Sequence, residues 1–171
     1  MNEPREPFDL DAYEQRVQQG PCFICAIADG DSQIRSINHM IYENDAVLVF
    51  LNRYPTLRGY ALVCPRRHVE RLVDDLSEAE YLDLQRWVYR VGAAVQQVVP
   101  TERLYVLSLG SQQGNRHVHW HVAPLPPNVA YREQQLGALS ISRGVLAIPD
   151  EEMASLANQL RVVLRAVVQQ R

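Results

Sequence analysis

His117-Val118-His119-Trp120-His121-Val122 is the stretch that decides how this chain reads. Three of the five histidines in the sequence alternate here with apolar residues. A period of two is the period of a strand, in which successive side chains point to opposite faces. The three imidazoles therefore line one face, roughly 6.5–7 Å apart between neighbours. Val118, Trp120 and Val122 line the other. Burying three such rings is costly unless they are used. One histidine would pass for a satisfied polar residue on a half-exposed strand, but three in phase do not. A purification tag is excluded, because tags sit at termini and are not interleaved with Val and Trp. Two chemistries remain: a metal site of same-face histidines, or a histidine nucleophile with two helpers.

Outward from this strand, predicted over His117 to Ala123, Pro124, Pro126 and Pro127 end the run. On the other side a polar loop, Gly110 to Arg116, follows a strand predicted over Leu104 to Leu109. Ser77-Glu78-Ala79-Glu80 is a capping-box pattern. It opens a helix whose apolar positions Leu84, Val88, Val91, Val95 and Val98 recur at helical spacing until Pro100. Upstream, residues 38–43 and 46–51 read as strands joined at Glu43-Asn44-Asp45. The second is apolar on both faces, as in a covered sheet. After Arg58-Gly59, Tyr60 to Cys64 is a third strand stopped by Pro65. Residues 8–19 have weak helical character and end at Gly20-Pro21. Cys22-Phe23-Ile24-Cys25 and a short apolar piece follow. Residues 128–149 give no clear pattern. A last helix starts near Asp150, with Met153, Leu156, Leu160, Val163 and Val167 on one face. The reading is α+β, an antiparallel sheet with two substantial helices.

The chain has 171 residues, 47% of them hydrophobic, enough for one globular domain with a sizeable core. Net charge is −3 with no basic stripe, which speaks against nucleic acid as a partner. All 17 basic residues are Arg, so a Schiff-base or P-loop lysine is excluded. No apolar run approaches the roughly 18 residues that cross a bilayer. The N-terminal residues lack the basic and apolar regions of a secretory signal. The expectation is a cytoplasmic protein with no membrane contact, in which three cysteines serve as metal ligands or core thiols rather than disulfides. Cys64 reads as a core thiol and His39 as an ordinary strand residue.

The segment His117 to Ala123 matches the signature of the histidine-triad superfamily, in which three histidines alternate with apolar residues. Leu51-Asn52-Arg53-Tyr54-Pro55, Gly59-Tyr60-Ala61-Leu62-Val63-Cys64-Pro65 and Arg66-Arg67-His68-Val69-Glu70 resemble the first half of that family's pattern. The chain looks closest to the Fhit-like dinucleoside polyphosphate hydrolases and the diadenosine tetraphosphate phosphorylases. The resemblance covers about residues 20–125. It implies one domain over 1–171, with about five strands, a long helix after the third and a C-terminal extension from 126 that carries a helix. It also implies a homodimer joined through sheet edges and the Ser77–Val99 helix.

The resemblance implies double displacement at an α-phosphate of a small nucleotide. His119 attacks phosphorus, a nucleotidyl-histidine forms, and water or another acceptor resolves it. His121 donates to a phosphate oxygen or the leaving group, and His117 completes the catalytic set. Asn52 would bind the ribose hydroxyls, with a turn residue as its plainer reading. The base would lie near Ile41, Phe50 and Leu51. The loop departs from the family's Gly-Gln-Ser/Thr, so Gln113, Asn115 and Arg116 are the candidates to touch phosphate in its place. Arg116 could also supply the charge of an arginine that follows the triad in many members. In zinc-bearing relatives the ligands correspond to Cys22, Cys25, His68 and His117, a donor set suited to structural, tetrahedral zinc. The quoted residues serve hydrolase and phosphorylase alike and favour neither adenine nor guanine. A nucleoside phosphoramidase on the same fold, a zinc hydrolase ligated by the triad and a non-catalytic nucleotide-binding module are the alternatives.

Overall fold

A computed structural model describes residues 3–169; Met1, Asn2, Gln170 and Arg171 lie outside it. The elements in chain order are β1 (Arg5–Glu6), α1 (Leu10–Gln19), α2 (Phe23–Ala28), α3 (Ser32–Ser36), β2 (Met40–Glu43), β3 (Val47–Leu51), β4 (Ala61–Pro65), α4 (Glu78–Val98), β5 (Arg103–Leu107), β6 (Trp120–Leu125), α5 (Leu136–Leu139), β7 (Val145–Leu146) and α6 (Asp150–Gln169). Five strands form one antiparallel sheet in the order β2-β3-β4-β6-β5, and β1 pairs with β7 apart from it.

The sheet is buried on both faces, which is why β3 and β4 are apolar at every position. One face carries Val47, Val49, Leu51, Val63, Trp120 and Val122 and packs under α4 and α6. The other carries Leu48, Phe50, Leu62, Cys64, Ala123 and Leu125, covered by Ile24 and Ile27 of α2 and by residues near α5. Ser77 caps α4 as its sequence predicts. Its hydroxyl accepts from the Glu80 amide, and the Glu80 carboxylate accepts from the Ser77 amide. Trp87 of α4 stacks on Tyr42 of β2, with ring centroids 4.5 Å apart. Helix α6 is no loose appendage: Met153, Leu156, Ala157, Leu160 and Leu164 belong to the same core as α4.

Several boundaries differ from expectation for local reasons. The last sheet strand begins at Trp120, not His117, and runs through Pro124 to Leu125. Pro124 is tolerated because pairing with β4 ends at Ala61↔Val122, so β6 has a neighbour on only one side beyond that point. The strand before it ends at Leu107. The third strand is shifted by one, Ala61–Pro65, because Gly59 at φ +82° turns the chain into Tyr60. His39 is not an ordinary strand residue. It precedes β2 at φ +32°, and its Nε2 lies 3.1 Å from Asp150 Oδ1 at the start of α6. The Cys-Phe-Ile-Cys segment is helical, with Cys22 as the N-cap of α2. Residues 128–149 fold into two short 3₁₀ turns, α5 and β7. Among the described helices none is long and apolar enough to cross a membrane.

Candidate active site

The three histidines lie where β6 begins. Trp120 pairs with Val63 and His121 with Leu62, while the approach to the strand is held by Val118, whose amide donates to the Val69 carbonyl at 2.7 Å. His117 and His119 are 1% and 7% exposed, so both rings are dry. The rings nonetheless divide into two groups. His117 meets His68, with centroids 4.8 Å apart, whereas His119 meets His121 at 4.7 Å.

His119 Nδ1 lies 2.7 Å from the carbonyl oxygen of His117. A carbonyl only accepts, so Nδ1 carries the proton and Nε2 keeps its lone pair. Burial lowers the pKa of this ring, against the pull of that backbone bond. Burial likewise holds His121 at about 4; the neighbouring His119, where it is protonated, adds to this and a backbone bond at Leu109 opposes it. Both rings are therefore neutral near pH 7, the form in which imidazole is a nucleophile or a base. Ser108 donates to the His119 carbonyl at 2.8 Å and fixes the backbone between them.

His117 points the other way. Cys22, Cys25, His68 and His117 offer four donor atoms within 4.8 Å of one another. Cys22 Sγ is 3.5 Å and Cys25 Sγ 3.7 Å from His117 Nδ1, and Cys25 Sγ is 3.1 Å from His68 Nδ1. Zinc with bonds of about 2.0–2.3 Å needs tetrahedral edges of about 3.3–3.8 Å; the three separations above are close to that range, and the widest in the cluster, 4.8 Å, would have to close by about 1 Å to hold the ion. The outward nitrogens are already used. His117 Nε2 donates to the Pro65 carbonyl at 2.9 Å, and His68 Nε2 lies 3.1 Å from Glu70. This leaves both Nδ1 lone pairs facing the sulfurs, the arrangement that orients metal-bound histidines. Burial keeps His117 neutral, at about 4. Burial and the neighbouring Cys22 push the Cys25 thiol up to about 12, a penalty on thiolate that a cation would reverse. His119 and His121 are not part of this cluster.

The other expected site residues lie as follows. Asn52 follows β3; its side-chain oxygen accepts from the Tyr54 backbone N–H at 3.0 Å, and its own backbone N–H donates to the Tyr60 carbonyl, which leaves the side-chain nitrogen out of both bonds. The turn-residue reading therefore holds for its oxygen. Asn115, at φ +56°, donates to the Tyr13 hydroxyl at 2.8 Å. Arg116 Nε is 3.9 Å from Glu70. The Gln113 amide closes a turn onto Ser111 Oγ. Ile41 and Leu51 do not share a base site with Phe50. They sit in the core under α4 and α6, and Phe50 lies on the opposite face, because strand alternation separates them.

Three features were not read from sequence. In sequence Tyr60 reads as a strand residue, yet its hydroxyl is 3.0 Å from His121 Nδ1. Glu70 was only part of a motif, yet it backs His68. Helix α1 buries no residue of its own, yet its Val17 lies so close to Gly114 that a Cβ there would sit 2.7 Å from Val17 Cγ2. Phe8, Tyr13 and Tyr54 form an edge-to-face group beside it. A cleft of about 570 Å³ lies elsewhere, between Asn44–Ala46 and the start of α4; its charges are of both signs, and it holds no nucleophile.

The HIT domain model matches residues 34–127, more than half of the chain. The chain belongs to the HIT domain family. An uncharacterized HIT-like protein of Mycobacterium tuberculosis is 30% identical over 147 residues, 84% of this chain and 93% of the relative. An adenosine 5'-monophosphoramidase of Schizosaccharomyces pombe is 28% identical over 142 residues, 81% of this chain and 95% of the relative. A bis(5'-adenosyl)-triphosphatase of Dictyostelium discoideum is 29% identical over 90 residues, 51% of this chain and 60% of the relative. Among solved structures, a Zn-bound histidine triad family protein from Mycobacterium smegmatis superposes with a TM-score of 0.67 at 23% identity. The match covers 88% of this chain and 97% of that one. This HIT fold is the one the sequence implied: five antiparallel strands, a long helix after β4 and a helix at the C-terminal end.

Proposed function

We propose that this HIT-family chain is a nucleotide hydrolase or transferase that works at an α-phosphate through a nucleotidyl-histidine. Its proposed substrate is a dinucleoside polyphosphate. The observation that carries this is His119: buried, neutral, with Nδ1–H tied to the His117 carbonyl and Nε2 left with its lone pair. Nε2 attacks phosphorus, the P–O bond to the leaving phosphate breaks, and water or inorganic phosphate attacks the P–N bond in turn. His121 hands a proton to the departing oxygen, and His117 sets the nucleophile through its carbonyl. The backbone N–H groups of the Gly110–Arg116 loop stabilise the developing charge. Asn52, through its amide nitrogen, contacts the ribose. Gln113, Asn115 and Arg116 contact phosphate; the bond from Asn115 to Tyr13 would open for this. The hydrolase named among the relatives supports the P–O–P reading.

Zinc is the proposed structural cofactor, held by Cys22, Cys25, His68 and His117. When bound it supplies a crosslink between α2 and the sheet, and no reactive group. The Zn-bound neighbour in the fold comparison supports this reading. A zinc hydrolase ligated by the whole triad is disfavoured, because His119 and His121 stand outside the donor cluster. A homodimer is proposed through β5, which ends the sheet with Val106 nearly half exposed. We also propose that 1–171 forms one domain and that it works in the cytoplasm. A second reading, cleavage of a P–N bond, is favoured by the phosphoramidase among the relatives.

The deciding experiment is incubation with diadenosine tri- and tetraphosphate and with an adenylyl phosphoramidate, with and without inorganic phosphate. Products and a quenched enzyme adduct are read by mass. Nucleoside monophosphate from the polyphosphates where water is the acceptor, nucleoside diphosphate where inorganic phosphate is, and an adduct on His119, are expected. Turnover of the phosphoramidate alone would replace the first reading with the second.

A further inference from the structure

Tyr60 sits between Gly59 and β4 and is 6% exposed. Its backbone and side chain reach different parts of the site. Its carbonyl accepts from the Asn52 amide at 2.8 Å, and its hydroxyl lies 3.0 Å from His121 Nδ1, with the rings edge to face at 5.6 Å. Among the described residues the hydroxyl has no other hydrogen-bond partner.

We propose that Tyr60 is a positioning residue for the reaction: its hydroxyl donates to His121 Nδ1 and so holds the His121 proton on Nε2. A buried phenol O–H needs an acceptor, and Nδ1 is the one within reach. Burial pushes the Tyr60 pKa up to about 12, so the group keeps its proton at every working pH. An imidazole has one proton to place when neutral, and the bond made by one nitrogen decides which nitrogen carries it. With Nδ1 accepting from Tyr60, His121 is an Nε2–H donor before substrate arrives. The nucleophile and the donor are thus held in opposite tautomers by two different acceptor–donor pairs. His119 has its proton on Nδ1 through the His117 carbonyl, and His121 has its proton on Nε2 through Tyr60. One ring presents a lone pair and its neighbour presents a proton. This inference rests on the proposed attack of His119 at phosphorus, with His121 assisting the leaving group.

The test uses Tyr60→Phe, which keeps the ring and the backbone bond to Asn52. Nitrogen-15 NMR of the histidine rings in the free protein reports which nitrogen of His121 is protonated. Wild type should show an acceptor Nδ1 and a protonated Nε2; the variant should lose that preference while the His119 signals stay unchanged. In turnover, two adenosine 5'-phosphate esters are compared, p-nitrophenyl and unsubstituted phenyl. The phenyl ester, whose leaving group needs the proton, should lose roughly 10²-fold in kcat with little change in KM, and the nitrophenyl ester should lose much less. The proposal is overturned if wild-type His121 carries its proton on Nδ1, or if the variant keeps the wild-type tautomer. Equal losses for the two esters overturn it too. If wild type turns over neither ester, the nucleotidyl-transfer reading falls, and the ring signals still decide whether Tyr60 holds His121.

Discussion

His119 Nδ1 stands 2.7 Å from the carbonyl oxygen of His117, its own neighbour two residues back, so the tautomer of the proposed nucleophile is set by its own backbone. No carboxylate is needed for the task, and replacing the His117 side chain leaves that carbonyl in place. Orientation of the His119 ring and the chemistry of the His117 ring are therefore separable in the experiments below.

His119→Asn should lower turnover by at least about 10⁴-fold, since the two-step path disappears with the nucleophile. Nucleotide binding and the melting temperature should stay near wild type, and no adduct should form. A variant that keeps a tenth of wild-type rate, or an adduct mapped to His117 or His121, would exclude the mechanism.

Replacing Cys22 and Cys25 together by Ser should remove the metal from the cluster. Elemental analysis of untagged wild type should find one zinc per chain, and the variant should have none. Tm should fall by about 5–10 °C, as each kcal/mol moves Tm by roughly 2–4 °C at this size. Some turnover should survive, because the nucleophile is outside the cluster. Zinc retained at full stoichiometry in the double variant would place the site elsewhere.

Stability should depend on pH through His121. Its folded pKa of about 4 lies below the ordinary 6.5. Between those values the unfolded chain binds a proton that the folded ring refuses, so stability is full above 6.5 and falls as pH drops toward 4. Urea midpoints at pH 7, 5.5 and 4.5 should decline more steeply for wild type than for His121→Gln. Equal slopes would remove His121 from the account.

Ser77→Ala should cost about 1 kcal/mol through the lost cap of α4. At this size that is a fall in Tm of roughly 2–4 °C. Thermal melting measures it, and an unchanged Tm would mean that the Glu80 side of the box suffices.

Much of the fold was legible because its signals are local. The short apolar run at Val47–Leu51, the alternation at His117–Val122, the S-x-x-E before α4 and Pro100 after it are legible from neighbours in sequence. Likewise the cluster of Cys22, Cys25, His68 and His117 followed from a resemblance and is found assembled. What failed depends on contacts distant in sequence. The bonds of His39 to Asp150, Asn115 to Tyr13 and Tyr60 to His121 span 111, 102 and 61 residues, and no spacing rule encodes them. Grouping Phe50 with Ile41 and Leu51 goes against the strand's own period of two, which puts Phe50 and Leu51 on opposite faces. Pro124 reads as a stop because it lacks an N–H for the ladder, and the sequence does not show that β4 pairing ends before it, which is what lets the strand continue.

His117 contributes a ring nitrogen to the four-residue cluster and a carbonyl oxygen to His119. Two sites that share one residue are thermodynamically linked, and linkage is reciprocal. If a cation in the cluster stiffens the peptide that aims His119 and so favours a ligand there, that ligand must raise the cation's affinity by the same free energy. Metal affinity then becomes a silent reporter of a ligand at His119, readable by titration against a chelator and with no reaction at all.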